Sequence, residues 1–341
     1  MARKPGGWRA LHRCLTIAGV AALSAACTKP SASGKVDEVV VVTSNEIWAA
    51  LEEDIVAALE PSAFTVRRER IFEVAYLGPD DVRDSRLRRM RQVLLIGSAR
   101  EPIVVEALGD RAEEARRPVI IQARDVWALN QVVTVVLLPD SAEPRALAPL
   151  LPRLRDVLVR QLEIALRARI ALSPANEQRT ERIRREAGFT LLVPSTYDLA
   201  QPEPGVFVFR REEWAAGPVV RTITVGSRDR AAVEWTAGGA SRWRAELARR
   251  LNEPAHVTDT LTRALRGTVA GQPVVQVQGV WTTPPGEWPA AGPFIARMVE
   301  CPQRVFLVDA WVYAPADEKY EHVYRLDAVL DSFECPTDGR E

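Results

Sequence analysis

The chain has 341 residues, with 45 basic and 45 acidic side chains and a formal net charge of zero at pH 7. A nucleic-acid-binding protein usually carries an excess of basic residues clustered on one face. The balanced composition therefore predicts no nucleic-acid partner. At this length, two domains fit the usual size range better than one.

The first 26 residues have the pattern of a bacterial secretion signal. A basic head at residues 3–13 precedes an apolar stretch of ten residues at positions 14–23. A membrane-spanning helix needs about 20 apolar residues, so we interpret this segment as a signal peptide and not as an anchor helix. Its removal takes away four basic residues and no acidic one. This leaves 41 basic against 45 acidic side chains, a net charge of −4.

The end of this signal resembles the lipobox of bacterial lipoproteins. The sequence LSAA at residues 23–26 leads directly into Cys27. The resemblance implies cleavage before Cys27 and acylation of its thiol by chains such as palmitate, and two or three such chains hold a protein durably on a membrane. Thr28 after the cysteine favours the outer membrane of a bacterial cell envelope, facing the periplasm. The alternative is an ordinary secretory peptide with an incidental cysteine.

The mature chain divides by its pattern into four parts. We interpret residues 27–37 as a flexible polar tether, 38–172 as an N-terminal α/β domain, 175–335 as a C-terminal α+β domain with a closing helix, and 336–341 as a tail. The predicted fold class is α+β or mixed α/β, in which an N-terminal α/β layer is followed by an antiparallel sheet lobe packed with helices.

The N-terminal half alternates strands with helices. Residues 38–43 form an almost continuous β-branched run, which is typical of a strand buried on both faces. Thr43 or Ser44 is expected to cap the helix that follows. Further strands are predicted at 70–75, 93–96, 119–122 and 132–137, with helices near 80–91 and from Glu143 onward.

The second half of the chain has a different sequence pattern, in which short apolar runs are separated by turn residues. Strands are predicted at 189–194, 205–210, 219–225, 274–282, 294–299 and 305–313, and helices at 241–251 and 318–330. Strands in close succession indicate an antiparallel sheet with helices packed on it.

Two cysteines remain after processing and lipid attachment, Cys301 and Cys335. An even pair in an oxidising envelope compartment predicts a disulfide. A strand at 304–313 with an antiparallel helix behind it would return residue 335 to the end where residue 301 lies. Two free thiols are the alternative.

The sequence contains no P-loop, dinucleotide-binding, nucleophile-elbow or zinc-protease motif. We therefore predict no catalytic residue, no metal site and no cofactor. Of the two histidines left after processing, His322 is expected on an exposed helix face. The carboxylates Asp317, Glu318 and Glu321 are expected to complement the dipole of the last helix. A catalytic carboxylate pair among them is the alternative.

Tryptophans beside turn residues are the most suggestive group for ligand binding. Trp127 follows Arg124 closely, and Trp281 stands beside Gly279. Tryptophan side chains have a large rigid apolar surface and a polar indole N–H, and they can line a pocket. Arg124, Trp127 and Trp281 are therefore the candidate ligand-binding residues, with Arg124 beside Trp127 suited to an anionic ligand. The alternative places the tryptophans in the core at strand ends.

Several segments in a fixed order resemble a known family. They are SGKVDEVVVV, RDVWALNQVVTV, GFTLLVPSTYDLA, GPFIARMV and the C-terminal run VDAWVYAPADEKYEHVYRLDAVLDSF. Together they resemble the domain-of-unknown-function 4837 family, which comprises uncharacterised lipoproteins typical of Bacteroidota, over nearly all of the mature chain. The resemblance implies an envelope lipoprotein and no known activity.

Three functions are compatible with these observations. The first is a non-enzymatic envelope lipoprotein, held on the membrane by Cys27, that binds an envelope protein or glycan partner or helps to assemble the envelope. The second is a module that binds a small molecule or lipid in a cleft near Arg124, Trp127 and Trp281. The third is a carboxylate-based hydrolase. The missing catalytic motifs favour the first.

Overall fold

The computed structural model describes residues 29–59, 62–81, 86–141, 143–171, 173–257 and 262–335. The predicted signal peptide, Cys27 and the predicted tail lie outside the described residues. The described strands form a five-stranded sheet, an eight-stranded sheet and a small hairpin, with α-helices packed against both large sheets. This is the mixed α+β class that the sequence predicts, while the domain boundaries stay a prediction.

The five-stranded sheet belongs to the N-terminal half. The elements of this half are β1 (Glu38–Val42), α1 (Asn45–Leu59), β2 (Ser62–Phe64), β3 (Arg68–Arg70), β4 (Glu73–Leu77), β5 (Gln92–Ser98), α2 (Pro102–Leu108), α3 (Arg111–Glu114), β6 (Val119–Arg124), β7 (Val132–Leu138) and α4 (Leu151–Ala171). The strand order is β4-β1-β5-β7-β6, in which the edge strand β6 is antiparallel to β7 and the other neighbours are parallel. Strands β1, β5 and β7 are buried almost throughout, which explains their uninterrupted apolar sequences.

Helices α1 and α4 pack together on this sheet. The Ser44 hydroxyl accepts the backbone N–H of Ile47 at 3.3 Å, a cap that satisfies one of the free donors at the start of α1. Buried residues at four-residue spacing form the contact stripes of the two helices: Leu51, Ile55 and Leu59 on α1, and Leu154, Leu158, Leu162 and Leu166 on α4. None of the helices in the described ranges is both long and apolar enough to cross a membrane.

The eight-stranded sheet belongs to the C-terminal half. The elements of this half are α5 (Glu177–Ala187), β8 (Asp198–Glu203), β9 (Val206–Glu213), β10 (Val219–Asp229), α6 (Ala237–Arg250), β11 (His256–Val257), β12 (Arg263–Val269), β13 (Gln272–Thr282), β14 (Ala291–Glu300), β15 (Arg304–Tyr313) and α7 (Tyr320–Leu330). The strand order is β11-β13-β14-β15-β10-β9-β8, with β12 also paired to β13, and every pairing is antiparallel. Helix α6 contributes to the core on one face, and helices α5 and α7 contribute to the core on the other.

Buried ion pairs join helices to this second sheet. The Arg244 guanidinium of α6 donates from Nε to Asp309 Oδ1 of β15 at 2.9 Å and lies 4.0 Å from the ring centre of Phe294. On the other face, Arg297 of β14 donates to Asp331, just after α7, at 2.8 Å. Both arginines are buried, so these charges depend on their partners within the chain.

Two predicted elements are absent from the described residues. Of the helix predicted near 80–91, residues 82–85 lie outside the described residues, and the described part that follows has a 3₁₀ turn at Leu87–Arg89 and no α-helix. Residues 189–194 do not form a strand of the sheet: Thr190 pairs with Glu334 alone, and the Arg179 side chain donates to the carbonyls of Val193 and Pro194 at 2.8 and 3.0 Å. Here a side chain satisfies the backbone acceptors that a neighbouring strand would otherwise bind.

Residues 29–36, which the sequence assigns to a flexible tether, are instead held against the body by hydrogen bonds. We call them the N-terminal segment. The Leu129 N–H donates to the Pro30 carbonyl at 2.8 Å, and the Ala32 N–H donates back to the Leu129 carbonyl at 2.8 Å. Further bonds of this kind tie Ser33 to the residues just before β5. The prediction of flexibility is wrong here because the polar backbone finds partners in two loops of the body.

Candidate functional site

A cleft lies at the edge of the five-stranded sheet where the parallel strands begin. Gln92 opens β5 at this edge, and Arg124 reaches it because β6 runs antiparallel and ends there. The cavity volume is about 360 Å³. We call it the arginine cleft, because Arg91, Arg124 and Arg169 all line it. The sequence predicts one of these three arginines, Arg124.

Helix α4 supplies the opposite wall of the arginine cleft. Five of its residues line the cavity: Gln161, Ile164, Ala165, Ala168 and Arg169. Their spacing of three and four residues places them on one side of the helix. The small alanines leave room beside the sheet, while an amide and a guanidinium stand at the two ends of the stripe. The wall is therefore apolar in the middle and polar at both ends.

The N-terminal segment forms one rim of the arginine cleft. The Lys29 ammonium donates to the carbonyl of Asp125, a lining residue. The Arg91 guanidinium donates to the carbonyls of Ala32 and Gly34 at 3.5 and 3.4 Å. Backbone carbonyls of the segment thus hold one of the three arginines in place.

The lining residues give the arginine cleft a positive charge. Three arginines stand there against a single acidic residue, Asp125. Arg124 is exposed and has no ionic or hydrogen-bonded side-chain partner among the described residues. Arg169 lies 3.3 Å from Glu321 in a solvent-exposed pair, a kind of contact that contributes little energy. Guanidinium groups in such a setting bind carboxylates and phosphates by paired hydrogen bonds.

Trp127, the predicted neighbour of Arg124 in the site, lies outside the cleft lining. Its indole N–H donates to Glu106 of α2 at 2.8 Å, and the Arg88 guanidinium carbon lies 5.5 Å from its ring centre. Its backbone N–H donates to the Gln131 side chain at 3.0 Å. Trp127 therefore fixes the loop between β6 and β7, from which Asp125, Asn130 and Gln131 line the cleft.

The two halves of the chain match two different family models. Residues 176–332 match the family described as Domain of unknown function DUF4837. We refer to this matched part of the chain as the DUF4837 domain. Residues 32–161, which include most of the arginine cleft, match Domain of unknown function DUF8532. The predicted resemblance is thus confirmed for the C-terminal half, and the match does not extend over nearly all of the mature chain.

Three solved structures show distant similarity to the chain. A crystal structure from Bacteroides thetaiotaomicron is 10% identical with a TM-score of 0.28, and the match covers 45% of this chain and 47% of that one. Cyanobacterial PsbP (CyanoP) from Synechocystis is 15% identical with a TM-score of 0.30, over 44% of this chain and 87% of that one. Human STARD10 is 8% identical with a TM-score of 0.19, over 46% and 75%. No curated protein matches the sequence.

Trp281 of the DUF4837 domain is a core residue. It is 2% exposed, its indole N–H donates to the Val312 carbonyl at 3.1 Å, and its ring meets Trp311 edge-on. It packs in a cluster between the sheet and α6, whereas Trp127 packs in a cluster of the five-stranded sheet. The structure therefore does not bring Trp281 together with Arg124 and Trp127, and the predicted shared cleft is wrong because Trp281 is part of the core.

Cys301 and Cys335 of the DUF4837 domain lie at disulfide distance, with their sulfur atoms 1.94 Å and their Cα atoms 5.5 Å apart. Cys301 follows β14, and α7 returns the chain along the sheet so that residue 335 reaches the same end. The Thr190 and Glu334 backbones exchange two hydrogen bonds of 3.1 Å beside this pair. These contacts hold the end of the described chain against the sheet.

A second cleft, which we call the acidic cleft, adjoins the arginine cleft at Val36 and Arg169. It is lined by five carboxylates, Asp37, Glu73, Asp317, Glu318 and Glu321, and has a volume of about 420 Å³. Burial and the nearby negative charges of Glu69, Asp37 and Glu73 raise the pKa of Glu318. Among the described residues, no group of three or more histidine, cysteine or acidic side chains is placed to hold a metal ion.

The start of α7 differs from the sequence prediction. His322 is buried in the structure, and burial, followed by the charges of Arg221 and Arg325, lowers its pKa. The prediction that His322 is exposed is wrong, because this face of α7 packs against the body of the protein. The buried Glu69 carboxylate accepts the backbone N–H groups of Lys319 and Tyr320 at 2.6 and 3.0 Å, so a residue of the N-terminal half caps the helix.

A third cavity, of about 400 Å³, opens where β1, β4 and β5 end. Ligands usually bind at this edge of open α/β sheets. Here the charged residues already have partners, since Arg88 binds Glu106 through two hydrogen bonds of 2.6 and 2.9 Å. Glu101 accepts the Ser98 N–H at 2.9 Å, and burial raises the pKa of its carboxyl group. The arginine cleft therefore offers more uncompensated charge to a ligand.

Proposed function

We propose that this chain is a bacterial envelope lipoprotein that is anchored through a lipidated Cys27 and binds an anionic ligand in the arginine cleft without transforming it. The outer membrane facing the periplasm is the proposed location. The anchor rests on the LSAAC sequence at residues 23–27, and the ligand site rests on the structure. The proposal unites the binding and lipid-anchoring hypotheses drawn from the sequence.

The observation that carries the proposal is the set of three arginines around an apolar cavity. Arg91, Arg124 and Arg169 face the cavity together with Ile164 and the alanines of α4. A ligand with an anionic group and an apolar body would meet a matching surface at both of its ends. A cavity of this size lies within the usual range for small-molecule sites.

The chemistry of the lining supports binding without catalysis. Besides the arginines and Asp125, its polar side chains are the amides of Gln92, Asn130, Gln131 and Gln161. Amides and guanidinium groups donate hydrogen bonds to an anion but do not exchange protons near neutral pH. The site therefore holds and orients a ligand.

Arginine-specific labelling tests the binding site directly. Phenylglyoxal would be applied to the full chain with and without glycerol 3-phosphate, a soluble phosphomonoester, and modified residues would be identified by mass spectrometry. Labelling of Arg124 and Arg169 should slow severalfold in the presence of the phosphoester. Arg153 is the matched control, because it is exposed on α4, the helix that carries Arg169, and does not line the arginine cleft. Equal labelling of all three arginines under both conditions would reject the site.

The anchor is tested by expressing the full chain and its Cys27→Ser variant in a bacterial host fed with radiolabelled palmitate. The unsubstituted chain should carry the label and sediment with the membranes, because two acyl chains are enough for durable attachment. The variant should carry no label. An unlabelled unsubstituted chain would contradict the proposed anchor.

Two exposed tryptophans favour a partner-binding role as a second candidate function. Trp214 and Trp288 are 66% and 84% exposed. Trp214 follows β9, and Trp288 lies in the turn between β13 and β14, so strand register places both at the same end of the eight-stranded sheet. An envelope protein or glycan partner would bind there. Crosslinking of the full chain in native membranes should yield one partner that the Trp214→Ala/Trp288→Ala variant loses, and an unchanged pattern would reject this role.

A further inference from the structure

We propose that the arginine cleft faces the membrane that carries the anchor and takes the phosphate of a lipid headgroup from it. The inference rests on the proposed attachment through Cys27 and names the ligand class for the proposed site. It follows from three observations: the path of the N-terminal segment, the side chains exposed around the cleft, and the charge difference between the two adjoining clefts.

The path of the chain limits how far the arginine cleft can lie from the membrane. Three residue steps separate Cys27 from Pro30, which is at most about 10 Å of extended chain. Pro30 is hydrogen-bonded to Leu129, and Lys29 to Asp125 in the lining. An acylated Cys27 therefore brings this rim to within about 10 Å of the lipid headgroups. A flexible tether of 11 residues would have allowed any orientation.

The surface at this rim combines apolar and basic side chains. Leu129, which is hydrogen-bonded to the N-terminal segment, and Ile164, in the α4 wall, are 43% and 44% exposed, so two large apolar side chains face solvent near the cleft. Lys29 donates to the carbonyl of Asp125, in the same loop as Leu129, and Arg124 lines the cleft together with Ile164. Surfaces that pair exposed apolar side chains with basic residues bind at the interface of anionic bilayers.

The charge difference between the two clefts determines how the anchored protein is oriented on the membrane. The arginine cleft has three arginines and one aspartate, whereas the acidic cleft has five carboxylates with Lys35 and the shared Arg169. An anionic membrane attracts the first surface and repels the second. The anchored protein is therefore expected to turn its arginine cleft, and not its acidic cleft, toward the headgroups.

The lining chemistry selects the phosphate of the headgroup. Guanidinium groups bind phosphate oxygens with paired, charge-assisted hydrogen bonds. The cavity volume admits a phosphate with its glycerol, and Ala165 and Ala168 form the apolar wall beside them. The acyl chains would remain in the bilayer, so the lipid is bound in place and is not extracted.

Site-directed spin labelling of the full acylated chain tests this orientation. The label would be attached at Leu129→Cys or, as a control, at Leu265→Cys on β12 of the other sheet, where the native residue is similarly exposed at 52%. The protein would be placed in phosphatidylcholine vesicles with or without phosphatidylglycerol. Accessibility to a water-soluble nickel chelate and to oxygen then reports the depth of each label.

We expect the label at position 129 to be shielded from the nickel chelate in vesicles that contain phosphatidylglycerol, and the label at position 265 to stay in water. Adding Arg124→Gln should shift the ratio of docked to undocked protein by about fivefold, the effect of one basic residue near an anionic surface. An unshielded label at 129 on a protein that stays membrane-bound would overturn the orientation and leave the anchor intact. Protection of Arg124 by soluble glycerol 3-phosphate in that case would identify a free phosphoester as the ligand. Failure of the unsubstituted chain to attach would overturn both proposals.

Discussion

Arg244 in the DUF4837 domain and Arg124 beside the five-stranded sheet place the same guanidinium group in opposite surroundings. Arg244 is fully buried, donates to Asp309 at 2.9 Å and lies against the Phe294 ring. Arg124 ends an edge strand, is exposed, and faces a cavity with two other arginines. One side chain is bound within the chain, and the other is available to a ligand.

The difference shows how burial separates structural from ligand-binding charges. A buried ion is tolerated only when the same chain supplies its partner, because losing its hydration costs several kcal/mol. An arginine at the mouth of a cleft keeps its hydration and needs no internal partner. Substitutions in the eight-stranded sheet should therefore change stability, while substitutions in the arginine cleft should change binding.

The largest effect is expected from Arg244→Met. The substitution leaves Asp309 buried without a cationic partner, so the free energy of unfolding should fall by about 3–5 kcal/mol. Urea denaturation monitored by circular dichroism measures the loss. The control is the double variant Arg244→Met/Asp309→Leu, which removes both charges and should recover much of the stability. A loss below about 1 kcal/mol in the single variant would show that the pair is not structural.

The next effect concerns the cysteine pair. Replacing both Cys301 and Cys335 by serine should lower the free energy of unfolding by roughly 4 kcal/mol, because the bond closes a loop with a sequence separation of 34 residues. Denaturation with and without dithiothreitol provides the comparison. The reductant should destabilise the unsubstituted chain and leave the double variant unchanged. Identical curves for the unsubstituted chain in both buffers would mean that no disulfide is present.

A smaller effect separates the two tryptophans that the sequence assigned to one site. Trp281→Phe removes the buried hydrogen bond that the indole N–H donates to the Val312 carbonyl. The substitution should therefore lower the free energy of unfolding by about 2 kcal/mol. Trp127→Phe removes a bond to an exposed carboxylate and should cost only about 0.5 kcal/mol. Paired urea titrations test the difference. Equal losses would contradict the assignment of Trp281 alone to the core.

The smallest effect on stability is expected from Arg124→Gln. The unfolding free energy should change by no more than about 0.5 kcal/mol, since the side chain is exposed and has no described side-chain partner. The protection of Arg169 by glycerol 3-phosphate in the labelling experiment should nevertheless decrease severalfold. If the variant lost stability but kept the protection of Arg169, Arg124 would be a structural residue like Arg244 and not a ligand-binding residue.

The strands were the most predictable part of the fold, because β1, β5 and β7 are buried on both faces and carry continuous apolar runs. The segment at 189–194 is also apolar but is not a strand of the sheet, and the Arg179 side chain binds the carbonyls of Val193 and Pro194 at its end. Local sequence does not reveal such a long-range partner. The polar composition of residues 29–36 likewise concealed their hydrogen bonds to distant loops.

The site was predictable only in part. Arg124 was found because it stands beside a tryptophan and a turn, yet Arg91 and Arg169 were missed because sheet pairing and the crossing of α4 bring them near it. The sequence did contain one indication of the cleft wall that α4 forms. Gln161, Ile164, Ala168 and Arg169 share a helical face next to the leucine stripe, but the leucines dominated the periodicity of α4.

Hydrogen exchange of the full acylated chain in vesicles, followed by mass spectrometry, compares the two regions in a single experiment. Adding phosphatidylglycerol to phosphatidylcholine vesicles should slow exchange in the N-terminal segment and in the loop at residues 125–131 that binds it. Exchange in β12 and β13 of the eight-stranded sheet should stay the same. Slower exchange in β12 and β13, with unchanged exchange in the N-terminal segment and at residues 125–131, would contradict the account and place the membrane-facing surface on the DUF4837 domain.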